Sequence, residues 1–94
     1  MKFRWFDVEC CAKLISQKRL GVQVLWDQAE ERNLPGGKYR EARFLLEDAP
    51  ADFPYRLYYH YDTMAVATRS LYSLLSQLGM KEHIQEFIRH CGKS

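Results

Sequence analysis

Apolar and polar positions alternate most regularly over residues 55–61. There Tyr55, Leu57, Tyr59 and Tyr61 interleave with Arg56, Tyr58 and His60. Successive side chains of a strand point to opposite faces. One face therefore carries three tyrosines and a leucine, and the other an aromatic, a cation and a titratable ring. A core needs only the first. Residues 39–46 alternate more loosely, with Ala42, Phe44 and Leu46 on one side. Between the two segments, Asp48-Ala-Pro-Ala-Asp-Phe-Pro54 reads as a loop. Strands at about 39–46 and 55–61 are predicted to pair as an antiparallel β-hairpin.

Helical periods govern the ends of the chain. Asp7 is a suitable N-cap, and Val8, Cys11, Ala12 and Ile15 recur on one helix face behind it. Lys18 and Arg19 sit where cations favour a helix C-terminus, with Gly21 as the stop, which predicts a helix over 8–20. The aromatic lead-in, residues 2–6, fits either an edge strand or a staple on that helix. Residues 22–33 satisfy two periods. Val22, Val24 and Trp26 alternate, while Val22, Leu25, Trp26 and Ala29 share a helix face. The charged run that follows favours a second helix over 22–33. Asn33-Leu-Pro-Gly-Gly37 is the strongest break in the chain.

Asp62 then caps a run in which Met64, Ala67, Leu71, Leu74 and Leu78 recur at alternating three- and four-residue intervals. Met80, Ile84, Phe87, Ile88 and Cys91 form another apolar face. Helices at about 63–78 and 81–91 are predicted to pair as an αα-hairpin. The expected fold is α+β, with two N-terminal helices, the β-hairpin and the C-terminal αα-hairpin in a single domain, 1–94.

Composition narrows the function classes. At 94 residues and 47% hydrophobic content the chain supports one modest core. Fourteen basic and 12 acidic residues are interspersed, a net charge of +2, without the basic stripe of a non-specific nucleic-acid binder. The cysteines, Cys10, Cys11 and Cys91, are odd in number and irregularly spaced, which is no disulfide framework. The first residues do not read as a signal peptide, and no apolar run approaches the roughly 20 residues of a membrane span. A reducing, cytoplasmic setting without membrane contact is expected.

The candidate contact residues are Tyr58, His60 and Arg56, with Tyr55 and Trp26 as further anchors. Tyrosine is enriched at interfaces because its body is apolar and its tip hydrogen-bonds. An edge strand here would also suit pairing with a partner's strand. The plainer reading is a sheet that uses tyrosine for its β-propensity. The leucine seam of helix 63–78 suits either internal packing or a homo-oligomer. The cysteines and histidines are adjacent or isolated rather than spaced as zinc ligands, so neither a metal nor another cofactor is expected. Gly36-Gly37-Lys38 lacks the setting of a phosphate loop, and Cys10 at a helix N-terminus lacks a paired base, so no catalytic residues are expected.

One resemblance points elsewhere. Leu20-Gly21-Val22 after a short helix, then Trp26, Leu34-Pro35, Arg43-Phe44 and Glu47-Asp48, resembles the winged helix-turn-helix of MerR-like and excisionase-like DNA binders over about residues 10–50. It implies a recognition helix, a basic wing and sequence-specific DNA binding through residues 8–48. Gln23 stands where that pattern has Ser or Thr, and Asp27, Glu30 and Glu31 would face phosphates. Leu78-Gly79-Met80 with His83-Ile84 and Phe87 is similar to the last helix of SAM domains. The function expected is a small non-catalytic regulatory, adaptor or inhibitor protein that binds another protein through its tyrosine-rich surface. A DNA-binding regulator is the rival, although nucleic acid fits the balanced charge less well.

Overall fold

Asp7 ends the first strand and begins the first helix. The computed structural model describes residues 5–26, 32–35, 37–48 and 55–93. Strand β1 (Trp5–Asp7) runs directly into helix α1 (Val8–Lys18). The Asp7 carboxylate accepts a hydrogen bond from the Cys10 amide at 2.9 Å, the predicted cap. Val8, Cys11, Ala12 and Ile15 are buried, as their spacing requires. Beyond α1, Gly21 adopts a left-handed φ of +81°, and its carbonyl accepts from the Glu47 amide at 2.9 Å. The left-handed φ favours glycine here; a Cβ would also come within 3.0 Å of the Glu47 carboxylate, an exposed side-chain end that can give way.

The predicted helix over 22–33 is replaced by strands β2 (Val22–Trp26) and β3 (Arg32–Leu34). The deciding factor is long-range pairing, which no local period reports. The ten-residue strand β4 (Gly37–Leu46) has two edges to fill. Val22–Trp26 pairs with Leu46–Ala42, and Arg32–Leu34 with Tyr39–Gly37, on one of those edges. Strand β5 (Tyr55–His60) pairs with the other edge, from Phe44↔Tyr55 to Tyr39↔His60. All these pairings are antiparallel. The β-hairpin of the sequence reading is present, and Tyr61 falls just past its end.

A second sheet has the order β6 (Ala65–Ala67), β1, β7 (Gly92–Lys93). It corrects the predicted αα-hairpin. Helix α2 spans Thr68–Gln77 rather than 63–78, because Ala65–Ala67 pairs with β1 and Met64 turns the chain at φ +60°. Its N-cap is Ala67, with no side-chain cap bond, so Asp62 does not play that part. A 3₁₀ turn, Lys81–His83, leads into helix α3 (Ile84–Cys91).

One apolar cluster lies between the helices and the inner faces of the sheets. It includes Phe6, Ile15, Phe44, Leu57, Leu71, Leu74, Leu75 and Phe87, each at most 1% exposed. The leucine seam is thus internal, and a homo-oligomer through helix 63–78 is not what these leucines form. Arg19 ties the helix ends together. Its guanidinium donates to the Leu78 carbonyl at the end of α2 and lies 3.3 Å from Asp48. Lys18 and Glu86 form a 2.5 Å ion pair between α1 and α3.

Cys10 and Cys91 form a disulfide with their Cα atoms 5.5 Å apart, across 81 positions of sequence. This corrects the expectation of unpaired thiols, on which the reading of a reducing compartment leaned. Adjacency to Cys11 hid the pair, since only the packing of α1 on α3 brings the two sulfurs together. Closing a loop of that length removes about 4–5 kcal/mol of unfolded-chain entropy in the simplest account. No helix among the described residues is long and apolar enough to cross a membrane.

Candidate functional site

The two faces of β5 separate as the alternation requires. Leu57 and Tyr59 are buried and Tyr55 packs half-buried against the core. Tyr61 is exposed, and the Arg40 guanidinium stacks over its ring at 4.0 Å. Arg56, Tyr58 and His60 occupy the outer face.

Pairing with β4 sets three more residues beside them. Arg43 lies opposite Arg56, Glu41 opposite Tyr58, and Tyr39 opposite His60. The Tyr39 and His60 rings stack with centroids 4.3 Å apart and planes tilted by 38°. Two arginines directly across a sheet repel each other. Glu41 offsets that repulsion: its carboxylate accepts from Arg43 Nε at 2.7 Å and lies 4.0 Å from Arg56 Nη1. Glu41 is completely buried, whereas the Arg43 and Arg56 side chains are 41% and 45% exposed. A buried carboxylate thus fixes the Arg43 guanidinium by a charged hydrogen bond and stands within ion-pair range of Arg56, both beside Tyr58. The residues that form the core cluster lie on the opposite face of this sheet.

The predicted site is therefore divided. Tyr58, His60 and Arg56 share one surface. Tyr55 and Trp26 belong to the other face, where Trp26 meets Tyr59 edge-on at 5.9 Å and is 40% exposed. Trp26 instead walls a cleft of about 260 Å³ with Val24 and the α1 residues Glu9, Ala12, Lys13 and Ser16. Glu41 and Tyr39 escaped the sequence reading, and Arg43 entered it only through the winged-helix resemblance. The available signal was an acid at the centre of an otherwise basic and apolar strand, Lys38 to Leu46.

Arg19, Arg40 and Arg43, arginines of the winged-helix-like segment that could serve DNA, do not converge on one face. Arg19 is held by Leu78 and Asp48, and Arg40 and Arg43 lie on opposite faces of β4. The recognition helix implied by the winged-helix resemblance falls on β2 and β3, and Asp27, Glu30 and Glu31 lie outside the described residues. Among the described residues, no three histidine, cysteine or acidic side chains cluster as metal ligands would.

Two ionisable groups away from this face are shifted. Burial pushes the Cys11 thiol up to about 12, with the negative charge of Asp7 adding to the effect. Its hydrogen bond with Lys18, aided by His83 at 3.4 Å, holds Glu86 below the ordinary carboxylate range. No family model, characterised protein or solved structure matches this chain, so its geometry carries the functional reading.

Proposed function

We propose that this chain is a small non-catalytic binding protein, a regulator, adaptor or inhibitor, that docks another protein on the outer face of β4 and β5. The observation that carries the reading is the Tyr58 cluster. Tyr58 stands half-buried between the Tyr39–His60 stack and two guanidiniums, that of Arg43 anchored on buried Glu41 and that of Arg56 within 4.0 Å of it. Tyrosine and arginine are the side chains most enriched at binding hot spots. Anchoring them in advance lowers the ordering cost of association. Arg43 and Arg56 favour a partner surface that brings acidic groups to the rim, and Tyr58 supplies the central aromatic contact.

Affinity capture from the native host with the wild-type chain as bait, followed by mass spectrometry, tests the reading. The double variant Tyr58→Ala, His60→Ala serves as the control bait. Proteins held by the wild type and lost by the variant support the face as the site. An identical set on both baits moves the site elsewhere. A tyrosine-centred protein contact with two rim arginines loses little affinity at raised salt, whereas phosphate-driven nucleic-acid binding weakens steeply.

A further inference from the structure

Among the described residues, a cleft reaches the Cys10–Cys91 disulfide from the Cys10 side. A cleft of about 260 Å³ beside α1 is lined by Cys10, Lys13, Leu14, Gln17 and His90. Cys10 opens onto this cleft and is partly exposed; Cys91 is not among the residues lining it and is fully buried. Cys10 belongs to the first turn of α1, where the backbone dipole favours negative charge. Cys91 is the last residue of α3, where the dipole opposes negative charge. Access rather than leaving-group stability therefore directs an incoming thiolate to Cys10, and the dipole favours only the later release of Cys10. Lys13 and His90 are the basic residues of this cleft; Lys13 also borders the neighbouring cleft at Trp26, whose lining includes Glu9.

We propose that this cleft is a thiol-exchange site, in which a small acid-bearing thiol forms a mixed disulfide with Cys10. The external thiolate attacks Cys10 Sγ. A bond forms between the external sulfur and Cys10, the Cys10–Cys91 bond breaks, and Cys91 leaves with the electron pair and takes up a proton. A second thiolate of the same class then attacks the external sulfur. It releases Cys10 as a thiolate and carries away the external disulfide. Two thiols are oxidised and one protein disulfide is reduced. Lys13 and His90 attract the carboxylate of the incoming thiol. Cys11, buried and held protonated, takes no part. The first step frees α3 and β7 from their covalent tie to α1, while β7 remains paired with β1.

Single-cysteine variants test which sulfur is addressable. With Cys91→Ala, the symmetrical disulfide of mercaptoacetic acid should label Cys10 readily. With Cys10→Ala, Cys91 should stay unlabelled until the chain is unfolded, as peptide mapping reads. Circular dichroism confirms that each variant is folded. In the otherwise native protein, opening rates by mercaptoacetate and by cysteamine give a ratio that cancels general thiol reactivity. Lys13→Glu, at an exposed position, should lower that ratio by about fivefold at low salt, since reversing one charge several ångströms from another changes each rate in opposite directions. Labelling of folded Cys10→Ala at Cys91, an unchanged ratio in Lys13→Glu, or free thiols at both positions after incubation with oxidised thiol would each overturn the proposal.

Discussion

Glu41 and Tyr58 face each other across β4 and β5, yet Glu41 is wholly buried while Tyr58 stays partly in solvent. The outer face therefore has a charged floor and an aromatic, cationic surface. The floor governs stability and the surface governs contact, so substitutions at the two levels should have separable effects.

The Glu41 network predicts an order. Arg43 donates to the carboxylate at 2.7 Å and Arg56 stands 4.0 Å away. Arg43→Ala should lower unfolding stability by about 2 kcal/mol, in the range for a hydrogen bond to a charged group. Arg56→Ala, a more distant and exposed pair, should cost about 0.5 kcal/mol. Urea denaturation measures both, and equal losses would show that Arg43 is not the main counter-charge.

Neighbouring positions on β5 should divide between fold and contact. Leu57→Ala empties part of the core and should cost about 3 kcal/mol of stability. Tyr58→Ala should cost about 1 kcal/mol, near the centre of the distribution for point substitutions. It should instead weaken partner binding by about 30-fold, as loss of a hot-spot side chain does. A Tyr58→Ala variant that unfolds as readily as Leu57→Ala would assign Tyr58 to the fold.

Cys11 should be chemically silent in the native state. Its thiol titrates near 12 because it is buried, and the unfolded chain's cysteine titrates near 8.5. The raised native value means the folded chain keeps a proton that the unfolded chain loses. The associated stability is fully present below pH about 8.5 and declines above it. Iodoacetamide at pH 8 should label Cys11 only through unfolding, and at once in denaturant. Rapid labelling of the folded protein would contradict the burial.

Glu86 gives the opposite sign. Its hydrogen bond with Lys18 lowers the native value, so the contribution is present above the ordinary carboxylate value, about 4.3, and is lost as pH falls through the native one. Carbon-detected titration should place the Glu86 midpoint below that of a free glutamate. Lys18→Met should return it toward the ordinary value, and an unmoved midpoint would remove Lys18 as the cause.

The sequence made one part of the fold easy to see. Leu57 and Tyr59 are buried and Tyr58 is not, because β5 borders a core on one side only and period-two alternation records that directly. Asp7, Gly21 and the buried face of α1 were equally legible, each through a local rule. What was hidden depends on partners far along the chain. Val22–Trp26 fits both periods, and β4 decides between them. Met64 and Ala67 keep a helical spacing, yet β1 draws Ala65–Ala67 into a sheet. For the site, Tyr58, His60 and Arg56 were visible from alternation alone. Glu41 and Tyr39 join them only through β4–β5 register, and Cys91 joins Cys10 only through helix packing.

The most direct test of the central claim compares three baits in one capture experiment: wild type, Tyr58→Ala with His60→Ala, and Trp26→Ala. Trp26 is as large and partly exposed, but lies on the opposite face of the sheet. The account predicts that proteins bound by the wild type persist on Trp26→Ala and are lost from the Tyr58 and His60 variant. Loss on Trp26→Ala with retention on the double variant would contradict it.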